Sequence, residues 1–65
     1  MECFKDRVVL EKDQLDIKLT GLIKFIESEM FDDVPMLEQN RLRRQRLIME
    51  LYSDVLAERI VNFTT

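Results

Sequence analysis

A single interruption, Met30-Phe-Asp-Asp-Val-Pro35, divides an otherwise unbroken run of helically spaced apolar residues. One glycine and one proline in 65 residues leave little else to punctuate the chain. Before the break Phe4, Val8, Leu15, Leu22 and Phe25 recur at helical steps, flanked by Leu19 and Ile26. After it Leu37, Ile48, Leu51, Val55 and Val61 do the same, with Leu47, Tyr52, Leu56 and Ile60 beside them. Pro35 biases Val34 away from helical backbone and suits the first turn of a new helix, where Asp32 or Asp33 offers an acceptor for orphan amides. The spacing therefore predicts helix one over 3–28, a turn over 29–34 and helix two over 35–62, each roughly 36 to 42 Å long at about 1.5 Å per residue. So short a connection forces the helices antiparallel, giving an all-α hairpin as a single domain over 1–65 that sets Phe4 near Arg59 and Asn62.

The apolar residues are too many for one partner helix. On helix two, Ile48, Leu51 and Val55 form one stripe, while Leu42, Met49, Leu56 and Phe63, seven apart, form another. On helix one, Ile17 and Ile23 lie away from Val8, Leu15 and Leu22. A helix apolar on several sides is buried on several sides. A core of this size is also marginal against conformational entropy and needs a staple. Cys3 is the only cysteine and histidine is absent, so neither an internal disulfide nor a zinc site is at hand. The expectation is a homo-oligomeric helical bundle with other copies of the chain as partners.

A net charge of −3 argues against general attraction to nucleic acid or anionic lipid, and no apolar run approaches the length of a membrane span. The N-terminus lacks the apolar stretch of a signal peptide, so a cytosolic setting is expected. No plausible nucleophile with an adjacent base, phosphate-binding glycine loop or metal-ligand cluster is present, which points away from an enzyme and from any cofactor. Glu11, Asp13 and Asp16, and Glu27 with Glu29, read as solvated faces supported by pairs such as Lys12 with Asp16.

The polar residues in seam positions are more informative. With Val8, Leu15 and Leu22 as a positions of a heptad, the d positions are Phe4, Glu11, Lys18 and Phe25. Lys18 is then either part of a register-setting polar pair with Glu11, a snorkelling stem or, with Thr20, a group facing a ligand anion at a subunit junction. Arg59 suits a helix C-terminus through the macrodipole and raises the same alternative. The run Arg41, Arg43, Arg44, Arg46 covers most of a helix circumference. It reads as charge countering Glu38, Glu50 and Asp54, with a nucleic-acid patch as the competing reading.

The string from Phe4 to Ser28, the Phe31 turn, and Met49, Tyr52, Leu56, Arg59 and Ile60 after it resemble the phage anti-CBASS cyclic-oligonucleotide sponge family, a helical hairpin shared with an anti-Thoeris sponge. The resemblance covers nearly the whole chain. It implies a homohexamer in the host cytoplasm that traps cyclic dinucleotides and cyclic trinucleotides without cleaving them and so blocks CBASS signalling. By position, Lys18 resembles the family lysine that contacts cyclic dinucleotides, and Phe4 stands where the family stacks a tyrosine on a base. Thr20 and Arg59 resemble the pair lining a separate cyclic-trinucleotide pocket. A structural or adaptor hairpin, or a nucleic-acid-binding regulator using Arg41 to Arg46, are the alternatives.

Overall fold

The computed structural model describes residues 3–63. Helix α1 spans Phe4–Ile26, a 3-10 turn occupies Glu29–Asp33, and helix α2 spans Met36–Asn62. The described residues contain no strand. The helices run antiparallel, which gives a rod of 46 × 18 × 14 Å.

The turn is closed by a side chain that sequence reasoning did not identify. Asp32 and Asp33 lie within the 3-10 turn, and no side chain caps α2, whose first position is preceded by Pro35. Instead the Gln39 amide reaches back one turn and donates to the carbonyls of Phe31 at 3.0 Å and Val34 at 2.9 Å. Phe31 is 4% exposed, packs edge-on to Phe25 at 5.9 Å between ring centroids, and carries the Arg43 guanidinium 5.1 Å from its ring centroid. An aromatic plug and a bidentate amide thus hold the bend where a carboxylate cap was expected.

Between the helices, the stripe of α2 that α1 covers is the seven-residue one. Leu56 is fully buried, Leu42, Met49 and Phe63 are half-buried, and opposite them Val8 is buried with Leu15, Leu19 and Leu22 half-buried. Ile48, Leu51 and Val55 are left facing outward at 58%, 57% and 52% exposure. On α1 Ile17 is exposed, whereas Ile23, expected to lie away from the seam, is half-buried at its edge.

A polar clamp crosses the seam at mid-height. The Lys12 ammonium donates to the Asp16 carboxylate at 2.7 Å and to the Ser53 hydroxyl at 3.1 Å, and that hydroxyl donates to the other Asp16 oxygen at 2.6 Å. The expected Lys12–Asp16 pair is therefore a link between helices through Ser53. The hydrogen bonds from Lys12 and Ser53 hold the Asp16 carboxyl below the usual carboxylate range. Because Ser53 of α2 bonds to both members of the α1 pair, sliding α2 by one turn would strand its hydroxyl away from Lys12 and Asp16. The clamp sets register where leucines alone would tolerate slippage.

Only three apolar residues are buried, against thirteen large apolar residues that are exposed, among the described ones. The radius of gyration of 14.9 Å also exceeds the ~11 Å of a compact chain of this length. Leu56 is thus the centre of a thin core. Leu56→Ala is expected to lower unfolding free energy by about 2 to 3 kcal/mol in urea denaturation. For Asp16, a folded-state pKa below the unfolded value means a contribution present above about pH 4 and lost as pH falls through the lowered value. The stability gap between the parent and Asp16→Asn should therefore be widest near neutral pH and shrink on acidification, as read by thermal melts across that range.

Candidate functional site

The four residues singled out from sequence occupy two levels of the rod. Phe4 begins α1 at the open end of the hairpin, half exposed, with its ring edge-on to Phe63 at 5.4 Å and 83°. Phe63, one residue beyond the expected Asn62, is also approached by Lys5, whose ammonium lies 5.9 Å from the ring centroid and donates to the Phe63 carbonyl at 3.4 Å. Arg59 sits in the last turn of α2 and is exposed. Its position around the helix matches Ile48 and Val55, so it projects from the outer face of the hairpin.

Lys18 and Thr20 lie farther along α1, and both are exposed. The expectation that they face one anion together is not met within a hairpin. Two residues apart on a helix point roughly 200° apart, so the two side chains leave opposite flanks of α1. Thr20 instead shares a shallow groove of about 410 Å3 with Asp16, Ile17, Gly21 and Lys24. Lys24, which sequence reasoning passed over, is the cation beside Thr20. The signal for it was the four-residue step from Thr20, one helical turn.

Arg59 and Thr20 are likewise apart. Lys12 meets Ser53 and Phe4 meets Phe63, so Arg59 stands level with about residue 7 of α1, roughly 20 Å along the axis from Thr20 at about 1.5 Å per residue. A pocket lined by both would draw them from different copies of the chain.

The basic run of α2 is largely engaged. Arg41 pairs with Glu38 at 2.7 Å and Arg46 with Glu50 at 2.9 Å, as the charge-countering reading expected, while Arg43 stacks on Phe31. Asp54 joins neither pair. Lys18, Thr20 and Arg59, by contrast, take part in no side-chain hydrogen bond or ion pair among the described residues. Their chemistry is that of two exposed cations and a hydroxyl, suited to phosphate oxygens. The Lys12–Asp16–Ser53 cluster has the residue types of a catalytic constellation, but an acidified carboxyl already bonded to an ammonium is a weak base at neutral pH, and the cluster acts as a clamp.

Gly21 is not required by the packing of the hairpin, since a Cβ there would meet nothing within 4 Å. It keeps the groove beside Thr20 open at the expense of helix propensity. Gly21→Ala should raise the thermal stability of the hairpin by about 1 kcal/mol without altering its helix content, measured by circular dichroism.

Comparison with known proteins gives this geometry a family. A relative in Enterobacteria phage T4, an uncharacterized 7.5 kDa protein of the denB-rIIB intergenic region, is 40% identical over 63 residues, covering 97% of this chain and 98% of its own. No solved structure matches the chain. No helix among the described residues is long and apolar enough to cross a membrane. The Sequestin family model matches residues 2–62, both helices and the turn between them, and the chain belongs to that family.

Proposed function

We propose that this phage hairpin sequesters cyclic dinucleotide and cyclic trinucleotide second messengers in the host cytoplasm, binding them without cleavage and so keeping CBASS effectors inactive. The Sequestin family name points to capture of a ligand, and the resemblance to cyclic-oligonucleotide sponges supplies its chemical class. The observation that carries the reading is that Lys18, Thr20 and Arg59 contribute nothing to holding the hairpin together, although each is a phosphate-binding type of residue.

Their separation favours two kinds of pocket. Lys18 leaves one flank of α1, and Thr20 the other. Phe4 offers an aromatic ring at the open end, and base stacking on such a ring contributes roughly 1 to 3 kcal/mol. Each pocket is completed by other copies, for which the exposed apolar residues provide the driving force. A hexamer would set several Arg59 or Lys18 side chains around an axis. Like charges so gathered repel, and a cyclic ligand with repeated phosphates relieves that repulsion, so ligand should stabilise the assembly.

Titration of the purified chain with cyclic di- and trinucleotides, followed by denaturation and recovery of the ligand, tests the reading. Binding at micromolar concentration or tighter, with intact ligand recovered, is expected. Lys18→Ala should weaken dinucleotide binding and Arg59→Ala trinucleotide binding, each by about 10- to 100-fold, as loss of a charge-assisted hydrogen bond implies. Absence of binding to either class, or recovery of hydrolysed ligand, would refute it.

A further inference from the structure

Two edge-on aromatic pairs close the ends of the rod, and they differ in what they leave exposed. At the bend the Phe25 and Phe31 rings meet at 5.9 Å and 88°, with Phe31 buried and Phe25 half-buried. Neither ring is exposed there, as suits a pair that serves packing alone. At the open end Phe4 and Phe63 meet in nearly the same geometry, 5.4 Å and 83°, yet only Phe63 is half-buried, and Phe4 is 53% exposed. An edge-on partner occupies at most one face of a ring, so at least one face of Phe4 stays open whichever ring supplies the edge.

Nothing on α1 itself fixes the direction of that open face. Phe4 is the first residue of the helix, and the N-cap Cys3 makes no side-chain bond. The first turn is held by backbone bonds from the Asp6 and Arg7 amides to the Cys3 carbonyl. A ring so placed can swing about its side-chain torsions unless a neighbour stops it. Phe63 is that neighbour, and it is itself anchored at amide, carbonyl and ring. Its amide donates to the carbonyls of Arg59 at 3.2 Å and Ile60 at 3.1 Å. The Lys5 ammonium donates to its carbonyl at 3.4 Å and lies 5.9 Å from its ring centroid. Phe63 also ends the inward stripe that runs through Leu56, so its ring is fixed by the seam.

We infer that Phe63 is a positioning residue for ligand binding, holding the Phe4 ring edge-on so that its free face is preset to stack on a base of a cyclic dinucleotide. The inference rests on the sequestration reading, in which Phe4 supplies the stacking ring, and adds a residue of the other helix that acts through Phe4. Presetting the ring removes torsional freedom that stacking would otherwise have to freeze, so the benefit appears as affinity. It is confined to ligands that use Phe4. Trinucleotides held by Thr20 and Arg59 gain nothing from it.

Calorimetric titration of cyclic dinucleotide and cyclic trinucleotide into the parent, Phe63→Leu, Phe63→Tyr, Phe4→Leu and the double variant Phe4→Leu/Phe63→Leu tests the assignment. Leucine keeps apolar contact with the seam but offers Phe4 no ring, and circular dichroism should show helix content retained. Phe63→Leu should weaken dinucleotide binding about threefold to tenfold, while trinucleotide affinity stays within about twofold of the parent. Phe63→Tyr keeps the ring and should bind both ligands as the parent does. Because Phe63 acts through Phe4, the double variant should bind dinucleotide no more weakly than Phe4→Leu alone. Phe63→Met, a second ringless variant, should repeat the losses of Phe63→Leu, so the outcome does not hang on one substitution. Unchanged dinucleotide affinity in the ringless variants, an equal loss on both ligands, or additive losses in the double variant would overturn the inference and leave the sequestration reading standing. A parent that binds no dinucleotide would overturn it as well, and one that binds neither class overturns the sequestration reading with it.

Discussion

The seam between α1 and α2 is the constraint from which the rest of the structure follows. It is narrow, because each helix offers the other one stripe, and the stripe on α2 is the seven-residue series ending at Phe63. Leu56 is its one fully buried residue. A seam of aliphatic side chains at heptad spacing fixes which faces meet but is permissive about register, since a slip of one turn presents similar residues. The Lys12–Asp16–Ser53 clamp removes that permissiveness at mid-height, and the Gln39–Phe31–Arg43 cluster removes it at the bend. Between them they hold two long helices in one alignment with little buried surface.

What remains outside the seam is the material for function. The hairpin uses Lys12, Arg41, Arg43 and Arg46 structurally and leaves Lys18 and Arg59 uncommitted. It uses one stripe of α2 and leaves the other in water. These two surpluses are related, because Arg59 lies on the same outer face of α2 as Ile48 and Val55. On the sequestration reading proposed above, a surface that gathered copies of the chain would also gather their cations. In a protein too thin to form a cavity of its own, assembly is how a pocket deep enough for a small anionic ligand can be built.

Several expectations changed at the level of side-chain direction. Lys18 and Thr20 look adjacent in sequence, yet helical geometry sends them to opposite flanks, and Thr20 shares its groove with Lys24. The two α2 stripes were both visible as spacings, but nothing in the spacing says which one meets α1. Ser53 and Gln39 carried no signal beyond their position. A serine amid apolar neighbours acquires meaning only when a lysine and a carboxylate arrive from the other helix.

The amino-acid sequence by itself determined the two long helices, the bend before Pro35 and the excess of apolar surface over what one hairpin can cover. These depend on local propensity and periodicity, which are written along the chain. The tertiary structure alone decided which stripe turns inward, which charges are consumed by clamps and ion pairs, and which stay free. Those outcomes depend on contacts between residues far apart in sequence, such as Lys5 with Phe63, 58 positions apart, and on the rotation of each helix about its own axis. Neither the separation nor the rotation is encoded at any one position; both are settled when the two faces pack.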